Sequence, residues 1–118
     1  FVFAGSTGNG YYQAMDKGTP YILTGKQGAY IELPAITEKK LTKVTATTRN
    51  GASKKVTVSI VDTNNNEVTG GAAILWAQEN EQLEYVYNLS GTSTNTKYRI
   101  YIANGNNAQF VNLELIYE

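Results

Sequence analysis

Apolar and polar residues alternate with a period of two over much of this chain, most clearly over residues 98–118. Apolar side chains occupy every second position on both sides of a turn rich in glycine and asparagine. They are Tyr98, Ile100 and Ile102 before the turn and Val111, Leu113, Leu115 and Tyr117 after it. This period is typical of half-buried β-strands. The pattern predicts two long strands joined as a hairpin, whose apolar face the rest of the chain must cover.

Shorter stretches, most of them with the same alternation, predict further strands. They cover residues 1–4, 21–24, 29–33, 41–49, 55–62, 73–78 and 83–89. The pair Asn50-Gly51 is typical of a type I′ turn and predicts a hairpin between two of these strands. For residues 72–83 a helix stays open as an alternative, because Ala, Leu, Gln and Glu favour it. The residues predicted for the core include Val58, Ile60, Tyr85, Tyr87, Ile100, Leu113 and Leu115.

About eight to ten short strands, separated by turn signals and without a long helix, are typical of an all-β fold. A chain of 118 residues has the length of one domain. We therefore predict a single domain over residues 1–118, an antiparallel β-sandwich with jelly-roll or Greek-key connections.

Charge and hydropathy limit the classes of partner. Ten basic residues balance ten acidic ones, which argues against a surface that tracks nucleic-acid phosphates. No apolar run approaches the roughly 20 residues that span a bilayer, so we expect no membrane-spanning segment. The chain begins at Phe1 without a methionine or a basic, apolar leader. We expect it to be part of a larger chain.

The titratable residues offer little catalytic chemistry. Histidine and cysteine are both absent, which removes the usual general base and the common catalytic triads. Glu79, Glu81 and Glu84 lie close in sequence and could supply a carboxylate pair for glycoside hydrolysis. A solvated turn explains the same residues better. We therefore expect no enzymatic activity.

The polar segment from Asp62 to Asn66 raises the question of a metal. Its side chains could ligate calcium, but the glycine and closing glutamate of an EF-hand loop are missing. Asx-turns account for the same residues. No cofactor is predicted, and a structural calcium is left open but unplaced, because Asp16 and Asp62 are the chain's two aspartates.

Aromatic and amide side chains make ligand binding a better hypothesis than catalysis. Trp76 has the opposite parity from Leu75 and could project from its sheet, while Tyr101 shares an outward face with Arg99. A flat ring beside polar groups suits the C–H face and the hydroxyls of a sugar. The favoured interpretation of Trp76 itself is that it fills the core or one end of the sandwich, because tryptophan is usually mostly buried. Further candidates for a ligand site at the rim are Tyr11, Tyr12, Asn104, Asn106 and Asn107.

Four stretches carry a resemblance to a known group of domains. They are GAYIELP at residues 28–34, LTKVTATTRN at 41–50, YVYNLSGT at 85–92 and NTKYRIYIANGNNAQFVNLELIYE at 95–118. Together they resemble β-sandwich domains in surface and secreted proteins of Bacteroidetes-type bacteria. Those domains are similar to the galactose-binding-like jelly rolls, which include many carbohydrate-binding modules and often hold a structural calcium. The resemblance implies an accessory or adhesion-type domain that is extracellular, on the cell surface or periplasmic.

Two functional hypotheses follow. The first is a non-catalytic carbohydrate-binding module that recognises glycan through surface aromatics. The second is a structural or cell-adhesion domain that contacts a surface protein and has no small-molecule ligand. They differ over Trp76, because a solvent-exposed ring favours the first and a buried ring favours the second.

Overall fold

A computed structural model describes residues 1–4, 11–16, 19–49, 55–77 and 81–118, and for residues 11–16, 19 and 20 it describes the backbone alone. Within these residues the chain is built from strands. They are β1 (Val2–Ala4), β2 (Tyr11–Asp16), β3 (Thr19–Thr24), β4 (Tyr30–Glu32), β5 (Leu41–Thr48), β6 (Val56–Val61), β7 (Ile74–Trp76), β8 (Glu84–Asn88), β9 (Arg99–Gly105) and β10 (Gln109–Tyr117).

The strands form two five-stranded antiparallel sheets that pack face to face. The β9 sheet has the order β1-β4-β9-β6-β7, and the β10 sheet has the order β2-β3-β10-β5-β8. Strands β3 to β10 alone give β4-β9-β6-β7 against β3-β10-β5-β8, which is the connectivity of an eight-stranded jelly roll. The predicted all-β antiparallel sandwich is confirmed.

The core lies between the sheets and follows the predicted alternation. Inward residues of β6 and β9 are almost completely buried, with Val58, Ile60 and Ile102 at 0% exposure. The intervening residues of these strands point to the outer face of the sheet. The other members of the predicted core are also in place: Tyr87 and Ile100 are buried, and Tyr85, Leu113 and Leu115 pack against the buried cluster.

The predicted hairpin of the C-terminal strands is wrong. Residues 98–118 do form two long strands, but β9 lies between β4 and β6, whereas β10 lies between β3 and β5 in the opposite sheet. The connection crosses the sandwich and is fixed to the end of β3, where the Ala108 N–H donates to Thr24 Oγ1 at 2.9 Å. The alternation shows which side chains of a strand are buried, but it does not show which strands lie next to it. Both C-terminal strands need a buried face whichever sheet they join.

The predicted hairpin at Asn50-Gly51 fails for the same reason. These residues lie outside the described part of the chain, but the strands they connect are described. Strand β5 pairs with β10 and β8, and β6 pairs with β9 and β7. Strands β5 and β6 therefore lie in different sheets and do not pair as a β-hairpin.

Residues 74–76 form a strand, as the favoured interpretation of this segment expected. The pairing of β7 with β6 sets Trp76 opposite Val56 and Ile74 opposite Val58. Both partners on β6 point into the core, so Trp76 and Ile74 point inward and Leu75 points outward.

Candidate functional site

The indole of Trp76 lies inside the sandwich and is 0% exposed. Its Nε1–H donates to the Tyr87 hydroxyl at 3.0 Å, and that hydroxyl donates to the Val58 carbonyl at 2.6 Å. The indole stacks on the Tyr85 ring with centroids 5.5 Å apart. Trp76 is therefore not the sugar platform that the sequence left open, because the register with β6 sets it opposite the core residue Val56.

Burial also sets the chemistry of this aromatic cluster. Desolvation raises the pKa of the Tyr87 phenol well above its ordinary value, although the hydrogen bond from Trp76 opposes the shift. The phenol therefore stays neutral at physiological pH and acts as a fixed donor and acceptor between the sheets. The cluster is a structural feature of the core.

The outer face of the β9 sheet carries Tyr30, Arg99 and Tyr101. We call this surface the Tyr101 face. It is defined by Val2, Ala4, Tyr30, Glu32, Thr57, Ser59, Val61, Leu75, Arg99, Tyr101 and Asn104. Strand register places these residues in rows across the sheet. Tyr101 lies directly between Tyr30 and Ser59, and Arg99 lies between Glu32 and Val61.

Arg99 is held in place from three directions. Its Nε and Nη2 each donate to Glu32 Oε1 at 3.2 Å, and its Nη1 donates to Asn65 Oδ1 at 3.2 Å. The guanidinium carbon also lies 3.9 Å from the centroid of the Tyr30 ring, a cation–π contact. Lys97 Nζ approaches the other oxygen of Glu32 at 3.9 Å. These contacts preorganise the centre of the Tyr101 face.

The turn after β6 brings Asn65 to this network. Asp62 Oδ1 accepts hydrogen bonds from the backbone N–H groups of Asn64 at 2.8 Å and Asn66 at 3.0 Å, which confirms the expected Asx-turn. These hydrogen bonds hold the pKa of Asp62 below its ordinary value, and the bond from Asn66 has the largest effect. The turn places Asn65 in a left-handed conformation with φ 64°, which asparagine tolerates.

Two outward residues of β6 are buried beneath the larger side chains of the face. Ser59 is 0% and Val61 is 1% exposed, although neither belongs to the core cluster between the sheets. The Ser59 Oγ has no hydrogen-bond partner. An unpaired buried hydroxyl is unfavourable, and this one is shielded from solvent beside Tyr101.

On the outer face of the β10 sheet, three rows between β5 and the edge strand β8 pair Glu84 with Thr47, Val86 with Thr45 and Asn88 with Lys43. The polar residues in these rows are typical of a solvated face. Lys43, Thr45 and Thr47 are half-buried on this outer face. Near β3 the Arg49 guanidinium carbon lies 4.4 Å from the centroid of the Tyr21 ring, a second cation–π contact.

An apolar cavity of about 280 Å³ lies where β1 approaches the β10 sheet. Its lining residues are Phe1, Phe3, Ile22, Ile31, Phe110, Val111, Asn112 and Leu113. Asn112 is the one polar side chain among them. The cavity therefore offers few hydrogen bonds to a polar ligand.

The structure brings together some of the candidate residues from the sequence and separates the others. Arg99, Tyr101 and Asn104 share the Tyr101 face. Asn106 and Asn107 lie in the connection to β10, where Asn107 Nδ2 donates to the Thr24 carbonyl. Trp76 is in the core. Tyr11 and Tyr12 begin β2 at the edge of the other sheet, and their side chains lie outside the described part of the structure.

Sequence reasoning missed three members of the Arg99 network, Tyr30, Glu32 and Asn65. A signal was present for two of them, because the alternation in residues 29–33 assigns Tyr30 and Glu32 to the outward face of their strand. The pairing of β4 with β9 makes that face the same one as Arg99, and no local pattern encodes this pairing.

The fold and the site define the protein as an all-β domain with two antiparallel sheets and a preorganised tyrosine–arginine surface. No protein-family model matches the chain, and no curated protein is significantly similar to it in sequence. The described residues include no helix long and apolar enough to cross a membrane. Among the same residues there is no cluster of three or more His, Cys, Asp or Glu side chains that could hold a metal ion.

Proposed function

We propose that this domain is a non-catalytic module of an extracytoplasmic protein and that it acts as a structural or cell-adhesion domain. The observation that carries the proposal is the position of Trp76. The chain's one tryptophan is fully buried and hydrogen-bonded to Tyr87. A buried indole offers no ring face to a sugar, so the second of the two hypotheses from the sequence is the better supported.

The finer classification belongs to the same proposal. The jelly-roll order of β3 to β10 and the four resembling stretches of sequence support a place among the galactose-binding-like domains of Bacteroidetes-type surface and secreted proteins. A location outside the cytoplasm rests on that resemblance. The partner would then be a protein surface, either of another domain in the same protein or of a separate one.

The proposal assigns no catalytic residue and no cofactor. Of the acidic group that could have formed a carboxylate pair, Glu81 and Glu84 are exposed, and Glu79 lies outside the described residues. A glycosidase acid needs an apolar or buried setting, and these exposed carboxylates lack it. Asp62, the candidate calcium ligand, uses one oxygen to accept two backbone hydrogen bonds.

Carbohydrate binding at the Tyr101 face is the second candidate function. The observation that favours it is the outward position of Tyr101 beside Arg99 and Asn104. A half-buried tyrosine next to a guanidinium and an amide could stack on one sugar ring and bond its hydroxyls. Such binding would depend on Tyr101 and would be independent of Trp76.

The test compares glycans and proteins as ligands of one labelled sample. The wild-type domain is applied to an array of oligosaccharides and to an array of purified extracellular protein domains, and hits are repeated by NMR titration. We expect saturable binding to proteins and none to oligosaccharides. Saturable oligosaccharide binding would contradict the structural or adhesion function. Loss of that binding in Tyr101→Ala, with retention in Trp76→Phe, would establish the second candidate in its place.

A further inference from the structure

We propose that the apolar cavity beside β1 is a binding site for a small, uncharged aromatic molecule, about the size of a single ring with a short substituent. Binding there is independent of the proposed structural or adhesion function, because the cavity opens from the interior of the sandwich and not from the outer face of either sheet.

The cavity is part of the sandwich interior. Phe3 pairs with Ile31 in the β9 sheet, and Ile22 pairs with Phe110 in the β10 sheet. All four residues line the cavity, so it lies between two facing rows of side chains. Ile31 and Phe110 are buried members of the core cluster, whereas Phe1 is 64% exposed. The cavity therefore has a floor in the core and a mouth beside Phe1.

A β-bulge shapes the wall that β10 contributes. The pairing of β10 with β5 shifts by one residue between Phe110 and Asn112, so Val111 is an extra residue in β10. A regular strand would send Phe110 and Leu113 to opposite faces, but here both pack in the core. Bulges re-aim side chains in this way and are enriched next to functional sites. This one brings Phe110, Val111 and Leu113 to the same cavity.

The lining favours an uncharged aromatic ligand. The chain has three phenylalanines, and all three line this cavity. Aromatic rings attract one another in edge-to-face and offset arrangements, so this lining suits a ring better than an aliphatic group of the same size. Among the described residues of the lining none is charged, and the polar one, Asn112, is exposed. A charged ligand would lose its hydration without gaining a partner.

The volume of the cavity limits the size of the ligand. Protein interiors are close-packed and hold few voids larger than a water molecule, whereas this cavity measures about 280 Å³. An apolar cavity of roughly 150 Å³ is large enough to bind benzene. At roughly 30 Å³ for each water-sized group, the space corresponds to about nine non-hydrogen atoms. A bound ring would restore the van der Waals contacts that the lining lacks when the cavity is empty.

The experiment titrates three molecules of similar size into the wild-type domain, labelled with ¹⁵N and with ¹³C in its methyl groups. Benzyl alcohol is the probe, cyclohexylmethanol lacks the aromatic ring, and benzoate carries a negative charge. We expect benzyl alcohol to bind saturably with a Kd of about 0.1–1 mM. Cyclohexylmethanol should bind at least about threefold more weakly, and benzoate should not bind at the same concentrations.

The position of the bound probe is measured in two ways. In the wild-type domain, nuclear Overhauser effects should connect the probe's ring to the methyl groups of Ile22, Ile31 and Leu113. Ile22→Phe places a ring in the cavity and should weaken the binding of benzyl alcohol at least about tenfold, because the space is then filled. The matched control is Ile36→Phe, at an exposed position outside the cavity, which should leave binding unchanged. The wild-type measurement locates the probe even where Ile22→Phe does not fold.

Other results would overturn the inference. Absence of saturable binding, Overhauser effects to residues elsewhere, or unchanged binding in folded Ile22→Phe would exclude the cavity as the site. Equal or tighter binding of cyclohexylmethanol would exclude an aromatic ligand, and binding of benzoate would contradict the requirement for an uncharged one. All of these results leave the structural or adhesion function in place, because the protein and oligosaccharide arrays test it separately.

Discussion

Removing the hydroxyl of Tyr87 should destabilise the domain strongly although the change deletes one atom. In Tyr87→Phe the buried Nε1–H of Trp76 loses its acceptor at 3.0 Å, and the Val58 carbonyl loses a donor at 2.6 Å. An unsatisfied buried donor costs about 1–3 kcal/mol, and the second hydrogen bond contributes about 1 kcal/mol. We therefore predict a loss of about 2–4 kcal/mol, a large part of the roughly 5–15 kcal/mol of a typical domain.

A double-mutant cycle isolates the interaction. Trp76→Phe removes the N–H itself, so Tyr87→Phe should cost about 1–3 kcal/mol less in that background than in the wild type. Tyr85→Phe is the matched control. Its hydroxyl bonds the backbone of Ala77 at a half-buried position, where water can replace it, and we expect about 1 kcal/mol or less.

The assay is urea unfolding followed by far-ultraviolet circular dichroism, which reports on all four members of the cycle, including those without tryptophan. If each variant has the same slope of unfolding free energy against urea concentration as the wild type, unfolding exposes the same amount of surface in all of them. Tyr87→Phe within about 0.5 kcal/mol of the wild type, or a cycle without coupling, would refute the buried indole–phenol pair.

Other variants probe the loops and the titratable groups. Gly70 has φ +86°, and a Cβ there would lie 1.8 Å from the Asn88 carbonyl oxygen, whereas Gly91 has φ +72° and open space around it. Gly70→Ala should therefore lower the free energy of unfolding by more than about 2 kcal/mol and Gly91→Ala by about 1 kcal/mol, as measured in urea. The pKa of Asp62 is lower in the folded state than its unfolded-state value near 3.8. The ionised carboxylate therefore stabilises the fold above pH 3.8, and this stability is lost as pH falls through the folded-state pKa. In Asp62→Ala the melting temperature should consequently fall less steeply as the pH is lowered. The raised pKa values of Tyr87 and Tyr117 give stability that is complete below about pH 10 and is lost as pH rises further. Tyr87→Phe should reduce that alkaline slope, and an unchanged slope would argue against burial of the phenol.

Strand positions and faces could be predicted from the sequence because alternation is a local property. The predicted core residues of β6, β8, β9 and β10 are where the pattern placed them. Pairing could not be predicted, because the burial of an apolar face is equally satisfied by a neighbour in the same sheet or by the opposite sheet. Both predicted hairpins failed on this point, and the Gly/Asn turn chemistry after β9 occurs in an arch instead.

Trp76 shows a second limit. Every residue of Ile74-Leu75-Trp76 is apolar, so the sequence does not show which of them point inward. Leu75 is as suited to the core as its two neighbours. The pairing register with β6 determines which side chains point inward, and this register depends on the tertiary structure. The Arg99 network has the same origin, since Glu32 and Asn65 are distant in sequence and meet Arg99 only through the pairing of β4, β9 and β6.

The most direct test of the central claim uses the fluorescence of the chain's one tryptophan. Emission and acrylamide quenching are measured for the native domain, for the urea-unfolded chain and for the native domain saturated with oligosaccharides. The account predicts blue-shifted emission and slow quenching in the native state, the loss of both on unfolding, and no change with any oligosaccharide. Red-shifted native emission with rapid quenching that a sugar suppresses would place Trp76 in a carbohydrate site and contradict the account.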